Sequence, residues 1–196
     1  MRKRGSSNPR VVYVDGFAGR GTYGREGQAL EEGSPLRMAR FAQRIADEKR
    51  AYRLVCLNTE IDPEYCVNLQ TVLAEFDPEL VHTYYGAFQD HLPTLLRLMR
   101  SSPAVCFLDP FGVVGISVDD IRPLLVRPDT EILLNLSTPT MHRLAGFVDS
   151  DAPEAKGKVA QLSRTLGEDP GDSNPEWLQV RRRVSSDAWE EWAVNR

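Results

Sequence analysis

Three short stretches of this chain carry residues suited to chemistry. Asp15-Gly-Phe-Ala-Gly-Arg-Gly-Thr22 sets a carboxylate ahead of a turn holding Gly16, Gly19 and Gly21. Glycines there let polar groups of a ligand approach the backbone and let the turn take positive φ. Glu60-Ile-Asp62 closes a second apolar run. A carboxylate at that place can accept both hydroxyls of an adenosine ribose, with Ile61 packed on the base. Asp109-Pro-Phe-Gly112 follows a third apolar run. It offers a carboxylate and a rigid proline where a transferred group would be handled.

The sign of the charge narrows the ligand. Asp15 sits at the carboxyl end of the first strand, where open α/β sheets bind ligands. A phosphate is repelled by a carboxylate, whereas the methionine ammonium of S-adenosylmethionine is attracted to it. The chain lacks G-x-x-x-x-G-K-[ST], and its turn is not G-x-G-x-x-G in register, so Walker-type hydrolysis is not expected. Glu60 does not separate S-adenosylmethionine from NAD, since both carry a ribose. After the third strand, Gly86-Ala-Phe88 stands at the bend where an adenine would be read, by the Ala87 backbone and the Phe88 ring. Asp90 either assists or caps the next helix. Each stretch also has a plain reading: a glycine turn without a ligand, a solvated Glu60, and a bend at Asp109-Pro110 and Phe111-Gly112.

Alternating strands and helices must position these groups. Val11–Val14, Leu54–Leu57, Val81–Tyr85, Ala104–Leu108 and Glu131–Asn135 read as strands one to five. Helices are expected from Ser34, capped by Ser34 with Pro35 at the first position, to Arg50; from Pro63, capped by Asp62, to Glu75; from Asp90; and from Ser117 to Leu125. The pattern predicts an α/β fold with a mostly parallel Rossmann-like sheet. Arg20–Gly33 reads as a loop, and Thr22–Gly33 within it is expected to fold over the cofactor or the substrate entrance. Residues 1–148 are expected to form this domain, and residues 149–196 a helical appendage or the remainder of the fold. Trp177, Trp189 and Trp192 all lie in the second part, as core, as an interface or as a stacking surface near Arg181-Arg182-Arg183. Asn135–Thr140 is placed on the ligand side, and His142 on a helix surface.

Composition limits the partners. The 196 residues carry a formal net charge of -4, 41% hydrophobic and 27% charged residues. That is ordinary for a soluble domain and gives no bulk attraction for nucleic acid. Local patches at Arg20 and Arg25 or at Arg181–Arg183 remain open, beside the plain reading of solvated faces. No apolar run approaches the ~20 residues of a membrane span. Met1-Arg-Lys-Arg4 leads into no apolar segment, so a frayed terminus is expected rather than a secretory signal. Cys56, Cys66 and Cys106 form no C-x-x-C pair and no metal site; Cys56 and Cys106, inside strands, read as buried hydrophobes, and a reducing, cytoplasmic setting is expected.

Asp15–Thr22 resembles motif I of class I methyltransferases, closest to the D-P-F-A-G-S-G-T form of amino-methylating enzymes. Tyr13–Gly21, then Gly33-Ser-Pro35, then Asp109–Gly112 together resemble the three-Cys-motif partner (TcmP) family over about the first 140 residues. The resemblance implies a class I sheet of strand order 3-2-1-4-5, S-adenosylmethionine as cofactor and a companion three-Cys-motif protein. Asp15, Gly16, Phe17, Ala18, Gly19, Gly21, Thr22, Glu60, Ile61, Ala87 and Phe88 then bind the cofactor. Asp109, Pro110, Phe111 and Gly112 correspond to the D/N-P-P-Y/F motif, which holds an acceptor amine. Phe111 replaces its second proline and Gly112 its aromatic residue, so an amine acceptor is expected without commitment to a nucleic-acid base. The functions expected are methyl transfer with a partner protein, a non-catalytic cofactor-binding or assembly subunit, and, third, a NAD-linked oxidoreductase. A class I sheet ordinarily adds two strands after the fifth, and no such strands are legible here.

Overall fold

Val11–Val14 and Leu54–Leu57 are apolar at every position, which suits strands covered on both faces. In the computed structural model, which describes residues 9–24, 30–112, 115–148, 150 and 152–194, both runs lie at the centre of a sheet. The chain begins with β1 (Arg10–Asp15), then β2 (Thr22–Tyr23), β3 (Glu31–Glu32) and α1 (Ser34–Asp47). It continues through β4 (Arg53–Glu60), α2 (Pro63–Leu73), β5 (Val81–Tyr85), α3 (Phe88–Met99), β6 (Ala104–Leu108), α4 (Val118–Leu125) and β7 (Thr130–Leu134). Four helices follow: α5 (Thr138–Ala145), α6 (Pro153–Thr165), α7 (Glu176–Arg183) and α8 (Ser186–Val194).

The larger sheet has the order β5-β4-β1-β6-β7, with every neighbouring pair parallel. The register sets Asp15 beside Asn58 on β4 and beside Phe107 on β6. Glu60 pairs with Tyr85. The carboxyl ends of β1, β4 and β6 therefore finish close together, which is where the chemistry-bearing residues were expected. Helix α1 turns Leu36, Ala39, Ala42 and Ile45 inward at helical spacing. Ala42 and Ile45 pack with Tyr13, Leu54 and Cys56, while Leu36 and Ala39 meet Leu69 and Leu73 of α2.

Local details depart from the sequence reading in instructive ways. The expected loop Arg20–Gly33 contains an antiparallel pair, Thr22 with Glu32 and Tyr23 with Glu31, closed by Gly33 N–H donating to the Gly21 carbonyl at 2.8 Å. Two residues per strand leave no periodicity to read. Arg25 and Gly27 of this loop, and the terminal Met1–Arg4, lie outside the described residues. Ser34 does not cap α1. Gly33 occupies the cap position, and the Ser34 hydroxyl is used elsewhere. Asp62 and Ser117 do cap α2 and α4, each accepting from backbone N–H groups of the first turn. Helix α3 starts at Phe88, two residues before Asp90.

The chain divides into two compact units, Met1–Leu108 with Arg127–Leu134, and Asp109–Val126 with Asn135–Arg196. The division falls before residue 148, and Asp109–Gly112 and Asn135–Thr140 belong to the second unit. That unit is helical, and among the described residues no strand follows β7. Its core contains Met141, Leu144, Leu162, Trp177, Leu178 and Trp189. Trp177 donates its indole N–H to Ser163 Oγ at 2.9 Å, and Trp189 donates to the Trp177 carbonyl at 3.1 Å. Both rings are core, so neither offers a stacking face to a base. His142 stands edge-on to Trp189 at 4.8 Å between centroids. Arg181 donates to the Ala145 carbonyl, and Arg182 and Arg183 are exposed. Among the described residues no helix is long and apolar enough to cross a membrane.

Candidate functional site

The turn after β1 is sewn to its neighbours by its own amides. Gly16 N–H donates to the Phe107 carbonyl at 3.0 Å and Ala18 N–H to the Thr59 carbonyl at 3.0 Å. Phe17 N–H reaches Asp15 Oδ1 at 3.4 Å. Gly19 N–H donates to Glu60 Oε2 at 2.6 Å, a short bond of the charge-assisted kind. Thr59 Oγ1 closes the stitch by donating to the Gly16 carbonyl at 2.7 Å. Four consecutive amides are thus committed inside the protein. The carbonyls of Phe17, Ala18 and Gly19 have no partner among the described residues. The turn therefore has no amide left over for a phosphate. Gly19 makes the shape possible: its φ is +64°, and a Cβ there would collide with the Tyr23 hydroxyl. Thr22 lies in β2, one turn further on.

Asp15 is fully buried. Its Oδ2 accepts from the Ser34 hydroxyl at 2.6 Å and from Tyr13 Oη at 3.3 Å. This explains why Ser34 gives up its capping role: a buried carboxylate without donors costs more than an unsatisfied helix end at the surface. The buried Tyr13 phenol is pushed up strongly, first by desolvation and then by the Asp15 charge. Cys56, beside Tyr13 in the pairing of β1 and β4, is pushed up to about 12 by the same two causes. Asp15 thus braces the turn from beneath rather than facing a ligand.

Glu60 is 8% exposed and bridges two backbones, with Oε1 accepting from Asp62 N–H at 2.8 Å. Each carboxylate oxygen keeps acceptor capacity beyond these bonds. Ile61, next in the chain, is 64% exposed, an apolar side chain held beside that carboxylate. Gly86 N–H donates to the Glu60 carbonyl at 2.9 Å, which brings the bend after β5 alongside. Ala87 caps α3 from an extended conformation. Phe88 points inward, 1% exposed, against Phe17 at 6.0 Å between ring centroids. Its ring supports the turn and presents no face to an adenine. The structure brings Gly16–Gly19, Glu60, Ile61 and Ala87 to one end of one sheet.

Sequence reasoning missed Asn58. It is fully buried beside Asp15, donates to the His82 carbonyl at 3.1 Å, and its Oδ1 has no partner among the described residues. An amide ending the run Leu54–Leu57 was the available signal. Ser34 was missed as a partner of Asp15 because nothing local links residues 19 positions apart. Tyr13 lies two residues from Asp15 on the same strand, so it shares a face with it, and that spacing was an available signal.

The second unit carries the other motif. Asp109 is exposed and accepts from Asn135 Nδ2 at 2.8 Å. Pro110 is buried, whereas Phe111 is 95% exposed. Gly112 has φ +79°, and a Cβ there would meet Thr140 Cγ2 at 2.7 Å. Thr140 in turn meets the Ser137 hydroxyl, the cap of α5. Asn135–Thr140 therefore backs Asp109–Gly112, and a carboxylate and an aromatic ring stand open to solvent. No group of three or more His, Cys, Asp or Glu is placed to hold a metal among the described residues. No family model matches the chain, and no curated protein matches it.

Proposed function

We propose that the chain is an S-adenosylmethionine-dependent methyltransferase that N-methylates an amine acceptor, working with a partner protein of the three-Cys-motif type. One observation carries this reading: the β1 turn consumes its amides internally, the last of them on the Glu60 carboxylate. A pyrophosphate needs free N–H groups and a helix N-terminus following the turn. Here β2 follows instead, which disfavours NAD. The sheet strands, counted alone, support the finer assignment of a class I order 3-2-1-4-5.

When bound, S-adenosylmethionine supplies an electrophilic methyl group on a sulfonium. The Phe17–Gly19 carbonyls receive its ammonium, Glu60 accepts from the ribose hydroxyls, and Ile61 lies against the adenine. Asp15, Tyr13 and Ser34 keep the turn in shape. Asp109 accepts a hydrogen bond from the acceptor amine through the capacity Asn135 leaves unused, and the Pro110 carbonyl accepts a second. Positioning of this kind leaves the nitrogen lone pair free and needs no strong base. The buried free thiols of Cys56, Cys66 and Cys106 support a reducing, cytoplasmic setting.

Calorimetric titration with S-adenosylmethionine and with NAD tests the cofactor, and saturable binding of the first alone is expected. A folded protein that binds neither would sink the reading. Methyl transfer from labelled cofactor into cell extract, lost in Asp109→Ala, tests the chemistry. The second reading, a cofactor-binding assembly subunit, is favoured by the almost fully exposed Phe111. It predicts intact binding with no transfer by the wild type.

A further inference from the structure

The opposite end of the same sheet holds a concave site. Arg10 and Arg53 open β1 and β4, and with Glu79, Arg100, Ser101 and Ser102 they line a cavity of about 490 Å³. Three guanidiniums share it with one carboxylate. Glu79 is taken by Arg53 at 3.0 Å. Arg10 is held in place, donating to the Leu98 carbonyl and to Ser102 Oγ. The Arg100 guanidinium has no hydrogen bond or ion pair among the described residues. Arg10 and Arg100 lie close enough that the second, after burial, depresses the pKa of the first. Two uncompensated cations thus face one cavity, beside two hydroxyls.

The backbone adds a separate observation. Ser102 N–H donates to the Met99 carbonyl at 2.9 Å, closing a four-residue turn with Arg100 at its first central position. Arg100 has φ 47° and ψ -121°, the conformation in which turns of this type take glycine. Its charge is not needed for the α3 C-terminus, where Arg97 already stands in the last turn. Strain accepted at a charged residue that lines a cavity points to a ligand.

We propose that this cavity binds the dianionic phosphate group of a small phosphate monoester. A dianion matches the two uncompensated guanidiniums, and guanidinium forks fit phosphate oxygens. A nucleic-acid backbone would require an extended basic stripe, and the net charge of -4 argues against one. The inference is independent of the S-adenosylmethionine reading, which concerns the other end of the sheet.

The test is calorimetry on the full chain at low salt with inorganic phosphate and uridine 5′-monophosphate, and with uridine as the neutral control. Both phosphates bind and uridine does not. Arg100→Gly weakens phosphate binding about tenfold or more. The same substitution raises the thermal midpoint by about 2–4 °C, because glycine relieves the turn. A variant that is more stable and yet binds less cannot be explained by misfolding. Arg10→Gln, read by the same titration, loses binding as well. Absence of saturable phosphate binding to the wild type, or unchanged binding in Arg100→Gly, overturns the proposal. So does binding of a single-stranded oligonucleotide with a steep salt dependence and none of the mononucleotide, which would assign the cavity to a nucleic-acid backbone.

Discussion

The two motif-bearing regions are built in opposite ways. The Asp15–Gly21 turn is closed on itself: four amides, a buried carboxylate and a bridging Glu60 hold one shape. Asp109–Gly112 is open, with one side-chain partner for Asp109 among the described residues and an aromatic ring at 95% exposure. A site that must receive the same cofactor every time gains from a preformed cradle, since no ordering cost is left for binding. On the proposed function, the acceptor arrives with another protein at the open region, where internal partners would first have to be broken. The contrast therefore separates a shape-determining region from a contact-making one, and substitutions should divide the same way.

The largest expected effect is at alkaline pH, on the strands β4 and β6 that flank the β1 strand leading into the first region. Cys56 and Cys106 titrate near 9 when unfolded and are pushed up to about 12 in the fold, mainly by burial. The folded state then holds protons that the unfolded state loses. Stability is unchanged well below pH 9 and falls by roughly 1.4 kcal/mol per pH unit per thiol between about pH 9 and pH 12. Urea midpoints across this range check it, and a flat profile would remove burial as the cause. Next, Asp15→Ala leaves the Ser34 and Tyr13 hydroxyls facing an empty buried space and costs about 3 kcal/mol in urea unfolding. A loss under 1 kcal/mol would show that Asp15 does not brace the turn.

Gly19→Ala comes third. Its positive φ and the Tyr23 contact should cost ~1–2 kcal/mol and abolish S-adenosylmethionine binding in the same titration. Glu60→Gln keeps the size of the side chain, so about 1 kcal/mol of stability is lost while cofactor affinity drops at least about tenfold. A Gln variant that binds normally would confine Glu60 to its backbone bonds. The smallest stability effect belongs to the second region. Asp109→Ala and Phe111→Ala should each move stability by no more than about 0.5 kcal/mol, while methyl transfer falls. Destabilisation by several kcal/mol at either residue would erase the contrast.

Much of the sheet was legible because its signals are local. Val11–Val14, Leu54–Leu57 and Ala104–Leu108 are apolar runs, and Pro63 and Ser117 announce helices within a residue or two. The β2–β3 pair escaped because two-residue strands have no period. The inward turn of Phe88 escaped because an aromatic residue after a bend looks the same whether it faces core or ligand. The tryptophans could be placed in helices, but nothing in their spacing said that Trp177 and Trp189 would take each other as neighbours.

The sequence by itself determined the order of the five sheet strands and the helices between them, the positions of the glycines and the location of Asp15, Glu60 and Asp109 at strand ends. Those follow from periodicity, capping and turn chemistry, which act over a few residues. Only the tertiary structure decided what each group faces. Ser34 meets Asp15 rather than its helix cap, Glu60 meets Gly19 across 41 residues, and Arg10 shares a cavity with Arg100. Burial and parallel register bring these groups together, and both depend on the packing of the chain, which no short window of residues contains.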